Sequence, residues 1–296
     1  MLRTLTILLW RFDRYFVHSF IQPIKGCLRY LHQYAETAAK QKYLSSKDKE
    51  RELHCELADY FAKQWALVQH AKRHVHKFKI AHELMYQLEQ GGRFAQLAQS
   101  LSDIEVFATL EPVTVTRFEM MRWWGELEGE GHNATDYFMR QMKTMFSTIK
   151  KHMSFANADH VVDDKNAEAH RLKVLKDLAN FFNAMGLYST AAVILQTVLK
   201  QERLNGGAAV AKTEEYGHDM RVLGQMYFTA GKNQEAERFL TQAKKVLCET
   251  DPVGNEEHII RTNVMLANLF KKRHQYQESQ TLIESAIVLC RKRVSG

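Results

Sequence analysis

Residues 220–243 read MRVLGQMYFTAGKNQEAERFLTQA, and that stretch decides the fold. Its apolar and small residues, Met220, Leu223, Gly224 and Tyr227, then Ala236, Leu240 and Ala243, recur at three- and four-residue intervals on either side of Gly231. Such spacing puts them on one face of each of two helices, with the glycine turning the chain between. The pattern recurs upstream as Leu175, Leu178, Ala179, Phe182, Gly186, Tyr188, Ala191 and Leu195. It recurs downstream as Asn263, Leu266, Ala267, Phe270, His274, Tyr276, Ser279, Ile283 and Ala286. In each copy a small residue is followed three later by an aromatic, then a turn, then a small residue with a bulky apolar one four later. The small positions let the first helix of each pair, helix A, approach the second, helix B, while Phe182, Tyr227 and Phe270 fill the space between them.

This pattern resembles the tetratricopeptide signature L-G-x-x-Y…A-x-x-x-F…A. The resemblance implies an all-α, helical-hairpin solenoid with three extended tetratricopeptide-like repeats over residues 165–296. Solenoids stack such units and expose a long concave face, so the expected function is protein binding without a catalytic centre. Equivalent positions stand 45 residues apart (179 to 224) and 43 apart (224 to 267), against the usual 34. The longer period is similar to that of kinesin light chains and nephrocystin-type proteins. Asn205-Gly206-Gly207 and Asp251-Pro252-Val253-Gly254-Asn255 supply turn chemistry where the repeats join, since Gly takes positive φ and Pro cannot continue a helix.

Composition agrees with helix throughout. The chain has 296 residues, 45% of them hydrophobic, and three prolines, enough apolar content to bury a core. Cys27, Cys55, Cys248 and Cys290 lie far apart without paired metal-ligand spacing, which fits reduced thiols and a cytoplasmic location. Met1 to Trp10 is apolar, but Arg11, Asp13 and Arg14 follow at once, and a spanning helix needs about 20 apolar residues. Neither a membrane span nor a signal peptide is expected. Trp10, Phe12, Tyr15, Phe16, Phe20 and Ile21 suit an amphipathic helix that packs on the next domain or lies on a membrane; residues 1–27 are an N-terminal segment unmatched by the family resemblances.

A second resemblance covers the middle. Leu28 to Phe61 reads as a helix, a polar break at Ser45-Ser46-Lys47-Asp48, and a helix ending in Leu57-Ala58-Asp59-Tyr60-Phe61. With His32, Tyr43 and His54 it resembles the end of the winged-helix segment of NACHT-type signalling ATPases, here residues 28–62. His82-Glu83-Leu84-Met85-Tyr86-Gln87-Leu88, Gly91-Gly92-Arg93-Phe94, Leu97, Leu101, Asp103, Glu105 and Phe107 are similar to the helical pair that follows in those proteins. Residues 63–160 then form a helical-hairpin linker region. Within it Phe118, Met121, Trp124 and Leu127 make one apolar face, and Tyr137, Met142, Met145, Phe146 and Ile149 another, across the Gly129-Glu130-Gly131 turn. Neighbours on a helix point about 100° apart, so one of Trp123 and Trp124 is expected at an inter-repeat or partner surface. Nephrocystin-type proteins of this kind carry their Walker A loop upstream of the winged helix, and this chain begins after that point.

Candidate chemistry is sparse. Gly206-Gly207-Ala208-Ala209-Val210-Ala211-Lys212-Thr213 mimics a phosphate loop with Ala211 at the second glycine, but a phosphate loop needs a preceding strand, and here a repeat helix precedes. His70, His74, His76 and His82 stand among Lys72, Arg73, Lys77 and Lys79, and those cations oppose a divalent ion, so a solvated basic helix is expected. No cofactor, metal or small-molecule substrate is expected, and the chain is read as no enzyme. Net charge is +7, with 16 Lys/Arg against 9 Asp/Glu in residues 1–100. That basic front leaves nucleic acid as a weaker alternative.

The leading expectation is an adaptor that binds acidic peptide segments. The alternative is an orphaned regulatory region of a NACHT-type ATPase that docks on an ATPase domain in another chain. In tetratricopeptide proteins the ligand-facing positions lie at fixed offsets from the small residue of helix A. Counted from Ala179, Gly224 and Ala267, those offsets select Lys173, Lys176, Asn180, Asn183, Arg221, Gln225, Arg261, Asn268, Lys271 and Lys272 as the peptide-binding groove. Six are basic and none is acidic.

Overall fold

The computed structural model describes residues 21–24, 27–30, 46–69, 76–143 and 161–295. The chain divides into two compact units, Met1–Thr148 and Ile149–Gly296. Apart from one small hairpin, the regular structure of the described residues is helical.

In the first unit, strands β1 (Ile21–Ile24) and β2 (Cys27–Tyr30) pair antiparallel, with Ile21 opposite Tyr30 and Ile24 opposite Cys27. This corrects two expectations: Ile21 does not end a helix, and Leu28 does not begin one. Pro23 has no N–H and its ring clashes with a preceding helical turn, which favours extended backbone here. Residues 1–20, including Trp10, Phe12, Tyr15, Phe16 and Phe20, and residues 31–45, including His32 and Tyr43, lie outside the described residues. Helix α1 (Lys47–Val68) begins at the expected polar break, where Ser46 caps it by accepting from Lys49 N–H. It does not end at Phe61: it runs on for two turns, burying Trp65 and Val68.

Helices α2 (Lys77–Gln90), α3 (Phe94–Leu101), α4 (Ile104–Leu110), α5 (Thr114–Gly129) and α6 (134–143) complete the unit. The two stretches that carry the NACHT resemblance meet here in a packing role. The Arg93 guanidinium grips the Asp59 carboxylate, with Arg93 Nη2 donating to Asp59 Oδ2 at 3.2 Å, and Arg51 Nε donates to the Gly91 carbonyl at 2.9 Å. His54 Nδ1 lies 2.6 Å from Gln87 Oε1.

Both adjacent tryptophans are buried, Trp123 at 1% exposure and Trp124 at 0%. Neither indole reaches solvent, and Trp123 meets α2 of the preceding hairpin, in keeping with the inter-repeat surface expected for one of them. The two rings leave α5 in different directions, and α5 is covered on both. Trp123 donates from Nε1 to Glu89 Oε2 on α2 at 2.8 Å, while Trp124 packs on Tyr137 and Phe138 of α6. The same cause shifts the buried face of α5 to Thr116, Met120, Trp123, Trp124 and Leu127, leaving Phe118 65% exposed. On α6 the core residues are Ala134, Phe138 and Met142; Met145, Phe146 and Ile149 lie outside the described residues.

The second unit contains α7 (Val161–Ala184), α8 (Tyr188–Val210), α9 (Glu214–Thr229), α10 (Asn233–Thr250), α11 (Glu256–Lys272) and α12 (Tyr276–Ser295). These are the three expected A/B pairs. The small positions do the expected steric work: a Cβ on Gly224 would stand 2.7 Å from Leu240 Cγ and 3.1 Å from the Leu240 backbone nitrogen. Tyr227 stacks on Phe239 across the pair at 5.5 Å. Its hydroxyl donates to Gln196 Oε1 of α8 at 2.7 Å, tying one pair to the preceding one. Asp251 Oδ1 accepts from Val253 N–H and Gly254 N–H, closing the turn before α11 as expected. At the other junction α8 leaves helical geometry at Gly207 (φ +63°, ψ −150°) and then regains one turn. The chain reverses at residues 211–213, a few residues later than Asn205-Gly206-Gly207 implied.

One turn recurs five times among the described residues. Gly92, Gly131, Gly186, Gly231 and His274 all have positive φ, between +63° and +84°. In each case the next N–H reaches back to the carbonyl of Leu88, Leu127, Phe182, Tyr227 or Phe270, and the turn residue's own N–H bonds one residue further on. This is the Schellman helix ending, which glycine takes without penalty. The hairpins α2/α3 and α5/α6 therefore share the turn of the three C-terminal pairs. The place three residues before each accepting carbonyl is held there by Met85 and Trp124, both fully buried, where the C-terminal pairs carry Ala179, Gly224 and Ala267.

Candidate functional site

Helices α7, α9 and α11 are the A helices that carry the ten expected groove residues. Seven of the ten, Lys173, Asn180, Gln225, Arg261, Asn268, Lys271 and Lys272, are exposed. Asn183 and Lys176 are half-buried, and Arg221 is buried at 5% exposure. Lys272 reaches over the Phe228 ring of α9, its Nζ 4.5 Å from the ring centroid, a cation–π contact that holds the ammonium toward the neighbouring helix. Arg261 donates to Glu257 one turn earlier on the same helix.

Lys176 is the centre of a charge cluster and offers no free ammonium. Its Nζ stands 2.9 Å from Glu202 Oε1 on α8, 2.9 Å from Glu215 Oε1 and 2.7 Å from Asp219 Oδ2, the last two on α9. Burial alone would lower the Lys176 pKa, but the bonds to Asp219, Glu202 and Glu215 outweigh it and hold the pKa above its ordinary value. Burial pushes Glu202 up, partly offset by Lys176. For Asp219 burial acts in the same sense, and the nearby His218 and Lys176 overcome it and lower the pKa. The lysine thus ties three helices together. Lys176→Met is expected to cost about 3 kcal/mol, because it leaves Glu202 and Asp219 half-buried and mutually repelling. Urea denaturation checks this, and a midpoint unchanged within about 0.5 kcal/mol would show that the cluster adds no stability.

A second cluster was not singled out by the sequence reading. His218 and Arg221 on α9 and His258 and Arg261 on α11 each repeat the spacing H-x-x-R, which was the available signal. Arg221 Nη2 lies 3.1 Å from His218 Nε2, and the His218 and His258 ring centroids are 4.8 Å apart. A guanidinium only donates, so His218 Nε2 accepts and its proton sits on Nδ1, which faces Asp219 Oδ1 at 3.8 Å. Arg221 Nη1 reaches Gln225 Oε1 at 3.5 Å, the long limit of a hydrogen bond. Arg221 Nε and His258 Nδ1 are buried without a hydrogen-bond partner. Burial, then Arg261, lowers the Arg221 pKa; burial, then His218 and Arg221, lowers that of His258. Arg221 is therefore a buried cation that hydrogen-bonds Gln225 and His218, with the Glu257 charge acting in its favour.

The phosphate-loop mimic has been absorbed into repeat architecture. Its first residues, through Val210, belong to helix α8, and the Thr213 hydroxyl caps α9 by accepting from Tyr216 N–H at 3.3 Å. Of the basic histidine cluster, His70, Lys72, Arg73 and His74 lie outside the described residues. His76 is exposed, and His82 Nε2 pairs with Glu119 Oε2 at 2.8 Å. Among the described residues no group of three His, Cys, Asp or Glu is arranged to hold a metal, and no helix is long and apolar enough to cross a membrane.

No protein-family model matches this sequence, and no curated protein matches it. Solved structures resemble it loosely. A point variant of a Podosopora anserina protein described as a kinesin light chain with nearly identical TPR-like repeats is 17% identical, over 88% of this chain and 94% of its own, at a TM-score of 0.40. A second structure of that protein gives 17%, 87%, 93% and 0.39. BtubC (BKLC) from P. vanneervenii is 14% identical, over 86% of this chain and 92% of its own, at 0.37. The helical-hairpin assignment of this chain stands on its own five turns and the packing beneath them.

Proposed function

We propose that this chain is a non-enzymatic scaffold that binds an acidic protein segment along the A helices of residues 161–272. The observation that carries this reading is the exposed set Lys173, Asn180, Gln225, Arg261, Asn268, Lys271 and Lys272 on α7, α9 and α11, rich in cations and amides and without an acidic member. Amides bond a peptide backbone in either sense, and lysine and arginine make charge-assisted bonds to carboxylates. Such binding weakens as salt rises, since exposed charges are screened over roughly 8 Å at physiological ionic strength. Lys176 and Arg221 serve differently from the exposed residues: the first ties helices together, and the second forms the floor of the α9–α11 face.

The test is a peptide array probed with the full chain, repeated with Lys173→Glu, Lys271→Glu and Lys272→Glu combined. All three side chains are exposed, so the variant is expected to fold. Acidic peptides are expected to bind the wild type and to lose about tenfold in affinity in the variant, roughly 1.4 kcal/mol. A preference for basic peptides, or acidic-peptide binding untouched by the triple reversal, overturns the reading.

A further inference from the structure

We infer that the outer face of α12 pairs antiparallel with α12 of a second copy of this chain, Ile287 packing on the partner's Val288 and Glu284 meeting the partner's Arg291. The face lies on a B helix, apart from the A-helix residues of the peptide face, so neither reading rests on the other.

Ile287 and Val288 are both exposed on α12, Val288 at 63%. A single surface apolar residue is ordinary, but position 288 has counterparts in the two preceding B helices. Counting nine residues from Ala191, Ala236 and Ser279 gives Lys200, Lys245 and Val288. Both lysines are exposed, although α9 packs against α8 and α11 against α10. A further repeat stacked on α12 would therefore leave this place in solvent, and it does not account for an apolar residue there. Helical spacing aligns Gln280, Glu284, Ile287, Val288 and Arg291 in one exposed stripe, acidic before the apolar pair and basic after it. A stripe in that order is complementary to its own reverse. With a two-fold axis between residues 287 and 288, each Ile287 faces the partner's Val288, and each Glu284 faces the partner's Arg291. A parallel pairing would set Glu284 on the partner's Glu284 and Arg291 on the partner's Arg291, where like charges repel. Glu284 accepts from Gln280 Nε2 at 2.8 Å, one turn earlier, which keeps its carboxylate on the stripe. The adjacent cation, Lys292, reaches instead toward Glu256 of α11 at 3.4 Å.

One helix on one helix is a small interface, so a weak dimer is expected, with a dissociation constant on the order of 10 μM. Sedimentation equilibrium of the full chain over a range of concentrations measures it. Val288→Lys, which installs the residue that α8 and α10 carry, is expected to weaken association about tenfold or more, because it buries a charge at the centre of the pairing. Glu284→Arg and Arg291→Glu, each alone, are expected to weaken it as well. Both in one chain are expected to restore it, because each new arginine then meets a new glutamate across the axis. All three positions are exposed, and circular dichroism checks that every variant keeps its helices. A chain that stays monomeric at about 100 μM gives the stripe to some other partner and overturns the pairing. So does a dimer untouched by a folded Val288→Lys, or a double charge swap that associates no better than the single reversals.

Discussion

Ala236→Arg is expected to unfold the α9/α10 pair, lowering stability by at least about 3 kcal/mol in urea denaturation followed by far-ultraviolet circular dichroism. Ala236 is fully buried at the start of α10. The approach of α9 to α10 leaves no room even for a methyl group at Gly224, where a Cβ would meet Leu240 at 2.7 Å. Arginine at 236 would have to thrust a guanidinium between the two helices or push them apart, and both outcomes expose Leu223, Tyr227 and Leu240. The exposed neighbour Gln234 provides the control, since Gln234→Arg is expected to stay within about 0.5 kcal/mol of wild type. Equal denaturation midpoints for the two variants would show that the repeat register is wrongly placed.

Trp124→Ala is expected to destabilise the first unit by about 3–5 kcal/mol, the usual range for removing a large buried aromatic side chain. The indole is fully buried against Phe138 at 5.6 Å and Tyr137 at 6.1 Å between ring centroids. Trp123→Phe tests the other side of the same helix. It keeps most of the ring and loses the Nε1–H bond to Glu89, leaving that carboxylate to Arg122 and Gln90, so about 1–2 kcal/mol is expected. The four tryptophans of the chain all lie within residues 10–124, so intrinsic fluorescence reports on the first unit. A loss below about 1 kcal/mol for Trp124→Ala would contradict a helix buried on two sides.

The sequence by itself determined what depends on a single helix or a single turn. Three- and four-residue spacing places Leu178, Ala179 and Phe182, or Leu223, Gly224 and Tyr227, on one face, and burial follows because that face is the apolar one. The turns were legible for the same reason: Gly186 and Gly231 stand four residues past the aromatic, where a helix ends in a left-handed residue. His274 holds that conformation without being glycine, so its turn was read from register alone.

Only the tertiary structure decided how many neighbours surround each helix. Periodicity assigns one buried face, so it misjudged α5, which has two partners and hides both indoles while Phe118 faces out. It also ranked Lys176 and Arg221 with the exposed groove residues, because spacing along one helix says nothing about what the adjacent helices bring. Glu202, Glu215 and Asp219 arrive at Lys176 from α8 and α9. His258 arrives beside His218 from α11. In the two front hairpins Met85 and Trp124 stand where the signature has a small residue, and only the turn geometry is shared with the C-terminal pairs. A charge or a large ring is judged by its surroundings, and those are supplied by residues remote in sequence.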